Sequence, residues 1–288
     1  MNYSALIENR RSVREFLDKK VCPCKLTEIK EYYYNDCKRL NEDVKTALLV
    51  FGEEVREQLE GAAGYEQFLI GAPNYLVLLS EKHPLAALNA GYMMQDIALK
   101  LTDMDLGSCW ITFTDSEAVK KALAIDSKLD VAAILAFGHG KKAPMRPRIN
   151  IFSMSNVDIK AKRRYMDPKK SVEELVYLNV WGNRHGLDSY LGFFGDALWE
   201  SLHAVSLAPS YLNRQAYSFV LRDGWVNLVS QPDFYNVDHD AALSLGVAML
   251  HFDAVAESWT GKVNWQFEPA QEELALPQGY RIVARCAL

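Results

Sequence analysis

Apolar residues at positions 26, 29, 33, 37 and 40 recur at three- or four-residue steps, which predicts a helix over residues 25–40. Residues 46–51 are a short β-prone apolar run that stops at Gly52. Residues 52–61 are charged and read as a surface helix or loop, followed by a flexible turn at Gly61-Ala62-Ala63-Gly64. The run NYLVLLS, residues 74–80, does not alternate, so it predicts a strand buried on both faces. A long helix follows over residues 86–104, with Leu88, Gly91, Tyr92, Gln95, Leu99 and Thr102 along one side. Glycine in mid-helix costs about 1 kcal/mol relative to alanine, so Gly91 points to a close helix contact. A glycine turn at Gly107 leads into another apolar strand, then a short helix over 116–123 and a buried strand over 131–137.

Residues 156–170 read as a connector, because Lys160-Ala161-Lys162-Arg163-Arg164 and Asp167-Pro168-Lys169-Lys170 are polar, basic and broken by proline. Beyond it the order repeats. Residues 171–180 and 198–207 predict helices, and 217–221 with 225–230 predict a hairpin across Asp223-Gly224. A helix over 240–255 echoes the earlier one at an offset of 155 residues, with Leu88 against Leu243, Gly91 against Gly246 and Met94 against Met249. Strand, helix, glycine turn and tryptophan thus occur twice in the same order, which suggests internal duplication. The halves are residues 1–155 and 171–288.

The 288-residue chain can bury a large core, and its 49% apolar and 24% charged composition excludes a disordered protein. A net charge of -5 argues against a general nucleic-acid binder, which needs a basic face. The chain has no apolar run near the ~18 residues of a membrane helix and no basic, apolar leader at its start. It is therefore read as cytoplasmic and off the membrane. Five scattered cysteines are expected as reduced thiols; Cys22-Pro23-Cys24 has neither redox-motif nor zinc-knuckle spacing. The six histidines lack ligand spacing, so no metal is expected.

Two short segments carry candidate chemistry. Arg10, Arg11, Ser12 and Arg14 offer three planar cations and a hydroxyl within five residues, a set suited to a phosphate. An extended segment would put Arg10, Ser12 and Arg14 on one side and leave Arg11 structural or at a rim. Ser12 could also cap a following helix. Pro209, Ser210, Asn213 and Gln215 place short polar side chains on a loop entering a strand, where Asn and Gln can both donate and accept. The two segments together resemble the nitroreductase family of FMN-dependent oxidoreductases, through R-x-S-x-R-x-F and P-S-x-x-N-x-Q. Alanine at position 216 replaces that family's usual proline.

The resemblance implies an α+β fold, an antiparallel-rich sheet flanked by helices, in two pseudo-repeated halves. It implies FMN as cofactor, with the Arg turn from one half and the Asn/Gln turn from the other. It lays the segment Gly107, Ser108, Cys109 and Trp110 against the flavin ring and places a basic residue among Lys141, Lys142 and Arg146 on the phosphate. The second half keeps only a decayed Arg turn, Asn183-Arg184-His185-Gly186-Leu187-Asp188, so the other site is expected to be closed or empty. The implied function is hydride transfer from NAD(P)H to a nitroaromatic, quinone or similar small electrophile by a ping-pong mechanism, with no catalytic side chain named because the flavin carries the chemistry. Rival readings are a flavin-binding pseudoenzyme and a structural or partner-binding protein on the same fold. The internal pseudo-dimer favours a monomer, with further dimerisation open.

Overall fold

The computed structural model describes residues 1–66, 68–141, 145–153, 156–163, 169–267 and 274–288, with backbone alone within 145–163. The first half opens with helices α1 (Tyr3–Asn9) and α2 (Pro23–Asn35), followed by strand β1 (Thr46–Gly52), a 3-10 turn and the one-turn helix α3 (Arg56–Leu59). It continues through β2 (Asn74–Ser80), α4 (Ala86–Asp103), β3 (Gly107–Ile111), α5 (Ser116–Ala122) and β4 (Asp130–Gly138). A hairpin of β5 (Met145–Ser153) and β6 (Asn156–Arg163) comes next, so the strand pairing runs into the expected connector. The second half holds α6 (Val172–Leu175), β7 (Val176–Leu178), α7 (Leu187–Phe193), α8 (Asp196–Ser206), β8 (Tyr217–Arg222), β9 (Trp225–Ser230), α9 (Asp238–Thr260), β10 (Gln266–Phe267) and β11 (Arg281–Ala287).

The first sheet has the order β1-β2-β4-β3 and is antiparallel throughout. The second has the order β10-β11-β9-β8-β7, antiparallel except that β7 runs parallel to β8. Read from β8, this is β8-β9-β11-β10, the same plan with α9 in the place of α4. β2 is buried at every position, as its unbroken apolar run requires. The β8–β9 hairpin turns on Asp223 and Gly224, both at positive φ, which a tight turn matching strand twist demands.

The two halves meet where α4 crosses α9. A Cβ added to Gly91 would lie 2.2 Å from the Leu243 carbonyl oxygen, and one on Gly246 would lie 2.0 Å from the Leu88 carbonyl oxygen. The contact is reciprocal at the 155-residue offset: each glycine receives the backbone of the other's leucine, as in a two-fold interface. α4 also packs on the first sheet through Met93, Ile97 and Leu101, while α8 and α9 cover the second.

Two differences from the sequence reading have clear causes. Ser171 and Glu174 form a capping box, but only one helical turn follows, because Val176, Tyr177 and Leu178 pair with β8 instead. Cys22 and Cys24 are disulfide-bonded rather than reduced, since the N-cap and first turn of α2 bring their Cα atoms to 5.3 Å. Cys37, Cys109 and Cys286 are free and buried. Among the described residues no helix is long and apolar enough to cross a membrane.

Asp253 on α9 is buried at this crossing, accepting from Tyr92 Oη at 2.9 Å and Trp265 Nε1 at 2.8 Å. Burial pushes its carboxyl up to about 8 despite both donors. An unfolded aspartate titrates near ~3.9, so between these values the native state holds a proton that the unfolded chain has lost. That contribution is complete below the unfolded value and is lost as pH rises through about 8. The thermal midpoint is therefore expected to fall between about pH 5 and about pH 9, and Asp253→Asn to flatten that slope. Equal slopes in the two proteins would remove Asp253 as its source.

Candidate functional site

One cleft of about 700 Å³ takes walls from both halves. That volume lies within the usual range for small-molecule sites. The first wall is the N-terminal arginine turn. Arg10 caps the C-terminus of α1, and the chain then runs extended, with Ser12 bridged to Ser108 and Val13 N–H donating to the Ser108 carbonyl at 2.9 Å. No helix follows Ser12, so it does not act as a helix cap; the next helix starts at Pro23. Arg10, Arg11, Ser12 and Arg14 all line the cleft. Arg11 also donates to the Glu8 and Arg10 carbonyls, which holds the turn together, in keeping with a structural or rim position.

Arg10 stands out electrostatically. It is only 8% exposed, and its Nε has no hydrogen-bond partner. Burial, aided by neighbouring Arg11 and Arg14, lowers its guanidinium to about 10, which leaves it charged at neutral pH. Among the described residues Arg10 has no carboxylate partner, and a buried cation without one is costly.

The facing wall is the loop after α8. Pro209, Ser210, Tyr211, Leu212 and Asn213 line the cleft. Tyr211 N–H donates to Ser244 Oγ at 3.1 Å, and Gln215 N–H donates to Ser210 Oγ at 2.9 Å, which ties the loop to α9 and to itself. Leu212, Asn213 and Gln215 all adopt positive φ, with values of 46°, 58° and 44°. Such conformations cost about 1–3 kcal/mol each and concentrate at binding sites. The wall between these two is β3 and its extension, Cys109, Trp110, Ile111 and Thr112, with the start of α9. Trp110 Nε1 donates to Gln95 Oε1 at 3.3 Å, and the Gln95 amide lies 2.8 Å from His251 Nε2. His251 Nδ1 lies 2.7 Å from the Ala204 carbonyl, and burial lowers the ring to about 3, so it is neutral. The carbonyl requires the proton on Nδ1, which leaves Nε2 to accept from Gln95 and fixes the indole in the wall.

Some expected residues sit elsewhere. Gln215 is buried off the cleft: its amide donates to the Ser206 carbonyl and accepts from Lys170 N–H. Gly107 makes room for Val13, whose Cγ2 would be 2.6 Å from an added Cβ, and so seats the arginine turn rather than lining the cleft. Ser108 is buried beneath that turn. Lys141 is exposed and off the cleft, its N–H donating to the Glu15 carbonyl. Lys142 lies outside the described residues. Arg146 lies on β5 opposite Lys162, and its side chain is outside them too. The cation that does reach the cleft is Lys169, from the expected connector; its Nζ donates to the Ala208 carbonyl at 2.9 Å. Sequence reading also passed over Tyr65, Phe68, Thr112 and Asp240, which line the cleft through topology alone.

At the corresponding place in the other half the side chains differ. At the same offset, Val247, Thr112 and Ser244 of the cleft correspond to Tyr92, Phe267 and Asn89. Asn89 Oδ1 accepts the Leu40 and Asn41 amides, as Ser244 accepts that of Tyr211. Tyr92, with 4% exposure, is a larger side chain than Val247 at the equivalent position. Trp265, the counterpart of Trp110, is held by Asp253. Arg184 of the decayed arginine turn lies over the Tyr177 ring at 4.7 Å.

Comparison with known proteins follows the same lines. A putative nitroreductase from Thermotoga maritima MSB8 shares this fold over all of this chain and 94% of its own, with 18% identity and a TM-score of 0.59. A nitroreductase family protein from Clostridium novyi NT is 20% identical over 50% of this chain and 88% of its own, with a TM-score of 0.44. A Clostridium difficile R20291 protein described as an FMN-dependent nitroreductase is 23% identical over 47% of this chain and 86% of its own, with a TM-score of 0.42. No curated protein matches the chain. The family model described as "Putative TM nitroreductase" matches residues 2–256, nearly the whole chain, and the protein belongs to that nitroreductase family.

Proposed function

We propose that the protein is an FMN-dependent oxidoreductase that takes hydride from NAD(P)H and gives it to a small electrophile such as a quinone or nitroaromatic. The observation that carries this reading is the buried Arg10, with an unpartnered Nε, aimed into a cleft closed by Ser210 and Asn213. Arg10, Ser12 and Arg14 would hold the phosphate, with charge-assisted bonds that a neutral cofactor could not use. Asn213 and Ser210 supply short polar groups for the ribityl chain and ring edge. Trp110 and Ile111, on a strand pinned by Gln95, give a fixed wall. Bound FMN supplies the two-electron chemistry, and the chain binds it, orients it and leaves one side open to the acceptor. Cys109, buried beside Arg10 and Arg14, has its thiol pushed up by burial, which keeps it out of the chemistry as a neutral group.

We also propose that the halves descend from one duplicated unit and keep a single working site. The equal strand orders and the reciprocal glycine contacts support the duplication, and the larger Tyr92 in the place of Val247 supports a closed counterpart. The test is to release and count the flavin of the purified protein, then add NADH or NADPH without oxygen. One FMN per chain, bleached by the nucleotide, is the expected result. Two per chain would mean that Tyr92 does not close the other site. Bound FMN that neither nucleotide reduces would favour a pseudoenzyme, and no FMN even after incubation would end the flavin reading.

A further inference from the structure

Among the described residues Asp240 is the one carboxylate lining the cleft, and it sits away from the arginines. Ser12 of the arginine turn is bridged to Ser108. Thr112 lies four residues farther along the same extended wall, roughly 13 Å away at the rise of a strand. There Thr112 Oγ1 donates to Asp240 Oδ2 at 3.0 Å. Asp240 is 6% exposed, and among the described residues it has no ion pair. The groups around it are His239 on its own helix, Tyr211 from the facing loop, and beyond that Tyr65 and Glu66. Burial holds the carboxyl above the ordinary carboxylate range, while the Thr112 hydroxyl and His239 pull the other way.

An acid in the first turn of α9 suits the helix dipole, but Asp240 also lines the cleft. In the other half the same positions are Leu85 and Phe267, both packed against the core. The pair is thus polar at the cleft and apolar at the corresponding positions. A buried carboxyl on the wall of a cleft is a functional candidate, and reduction of a carbonyl-type acceptor needs a proton at such a place.

We propose that Asp240 is the proton donor to the acceptor, resting on the flavin reading above. In the reduction of a quinone, bound reduced FMN would supply a hydride, its N–H bond breaking and the electron pair passing into the conjugated ring system. The carbonyl π pair moves onto oxygen, the Asp240 O–H bond breaks, and that oxygen takes the proton. One quinone, one hydride and one proton give one hydroquinone, and the Asp240 carboxylate regains its proton from water. The acceptor class is thus one whose oxygen must be protonated in the transfer, quinones and enones above all. Thr112 is a positioning residue that orients the carboxyl.

The test compares native and Asp240→Asn holoenzymes with para-benzoquinone and with ferricyanide, a one-electron acceptor that needs no proton. The quinone-to-ferricyanide turnover ratio is expected to fall about 100-fold in the variant. The native quinone rate should decline as pH rises through the Asp240 titration, and that limb should vanish in Asp240→Asn. In Thr112→Val, which removes a hydrogen bond favouring the charged form, the limb should move to higher pH. Infrared spectra of the native protein should contain a protonated-carboxyl band that Asp240→Asn lacks. An unchanged ratio with superimposable pH profiles, or a native protein without that band, would overturn the proposal while leaving the flavin reading intact. Failure of the native protein to bind FMN would overturn both.

Discussion

On the flavin reading, Arg10→Ala is expected to bind FMN at least about 100-fold more weakly than the native protein, with its unfolding temperature without flavin unchanged or higher. The two halves of this expectation share one cause. Without an anion, Arg10 is a buried guanidinium whose Nε bonds to nothing, and burial has already lowered it to about 10. Removing it relieves a desolvated charge. With a phosphate in place, the same group makes charge-assisted bonds in a site screened from water, worth about 3 kcal/mol or more, and about 1.4 kcal/mol is one decade in affinity. Arg10→Lys should recover only part of the loss, because an ammonium cannot grip two oxygens in one plane. Fluorescence titration with FMN and with riboflavin measures the effect, since riboflavin lacks the phosphate. The native preference for FMN should collapse in Arg10→Ala, and a preference that survives would place the phosphate elsewhere.

Alanine at Gly246 is expected to destabilise the protein by about 3 kcal/mol, although in an exposed helix the same change would stabilise by about 1 kcal/mol. The sign is decided by what the methyl group meets. It would stand 2.0 Å from the Leu88 carbonyl oxygen and 2.9 Å from the Tyr92 nitrogen, both backbone atoms of a buried helix that cannot swing aside. Gly91→Ala meets the Leu243 backbone in the same way, so its cost should be similar. Both act on one crossing, so the double variant should lose less than the sum: once the helices have moved apart, the second methyl group finds room. Urea denaturation of the four proteins gives the cycle. A stabilised Gly246→Ala protein would contradict the close approach of α4 and α9.

Elements held by their own local pattern were readable in advance. The NYLVLLS run, the 155-offset helices, the Asp223-Gly224 hairpin and the close contact at Gly91 all stand where periodicity and turn chemistry put them. Helix α1 escaped notice, as seven residues with one buried side chain carry little periodic signal. The stretch after Ser171 misled because a true capping box begins a helix that a neighbouring strand ends after one turn. The cleft was legible where sequence proximity and spatial proximity coincide, as Arg10, Ser12 and Arg14 all line it. Gln215 shows the limit: in its positive-φ conformation its amide turns back on the Ser206 carbonyl, a fact of backbone geometry that spacing does not record. Lys169, Thr112 and Asp240 come from three separate stretches and become neighbours of the cleft only after the sheets and helices pack.

Arg10 and Asn213 stand on one cleft but about two hundred residues apart in the chain, and this sets a timetable during synthesis. A ribosome adding about 5–20 residues per second needs roughly 10–40 seconds to pass from one to the other. Through that interval the first sheet can already close, for its strands all come from residues 46–138. Its helix α4, however, stays bare along Leu88, Tyr92 and Leu99, the side that only α9 and its neighbours will cover. α9 begins 135 residues beyond the end of α4, so the nascent chain carries a sticky, half-finished surface for roughly 7–27 seconds, and the arrival of α9 both hides that surface and completes the cleft in one event.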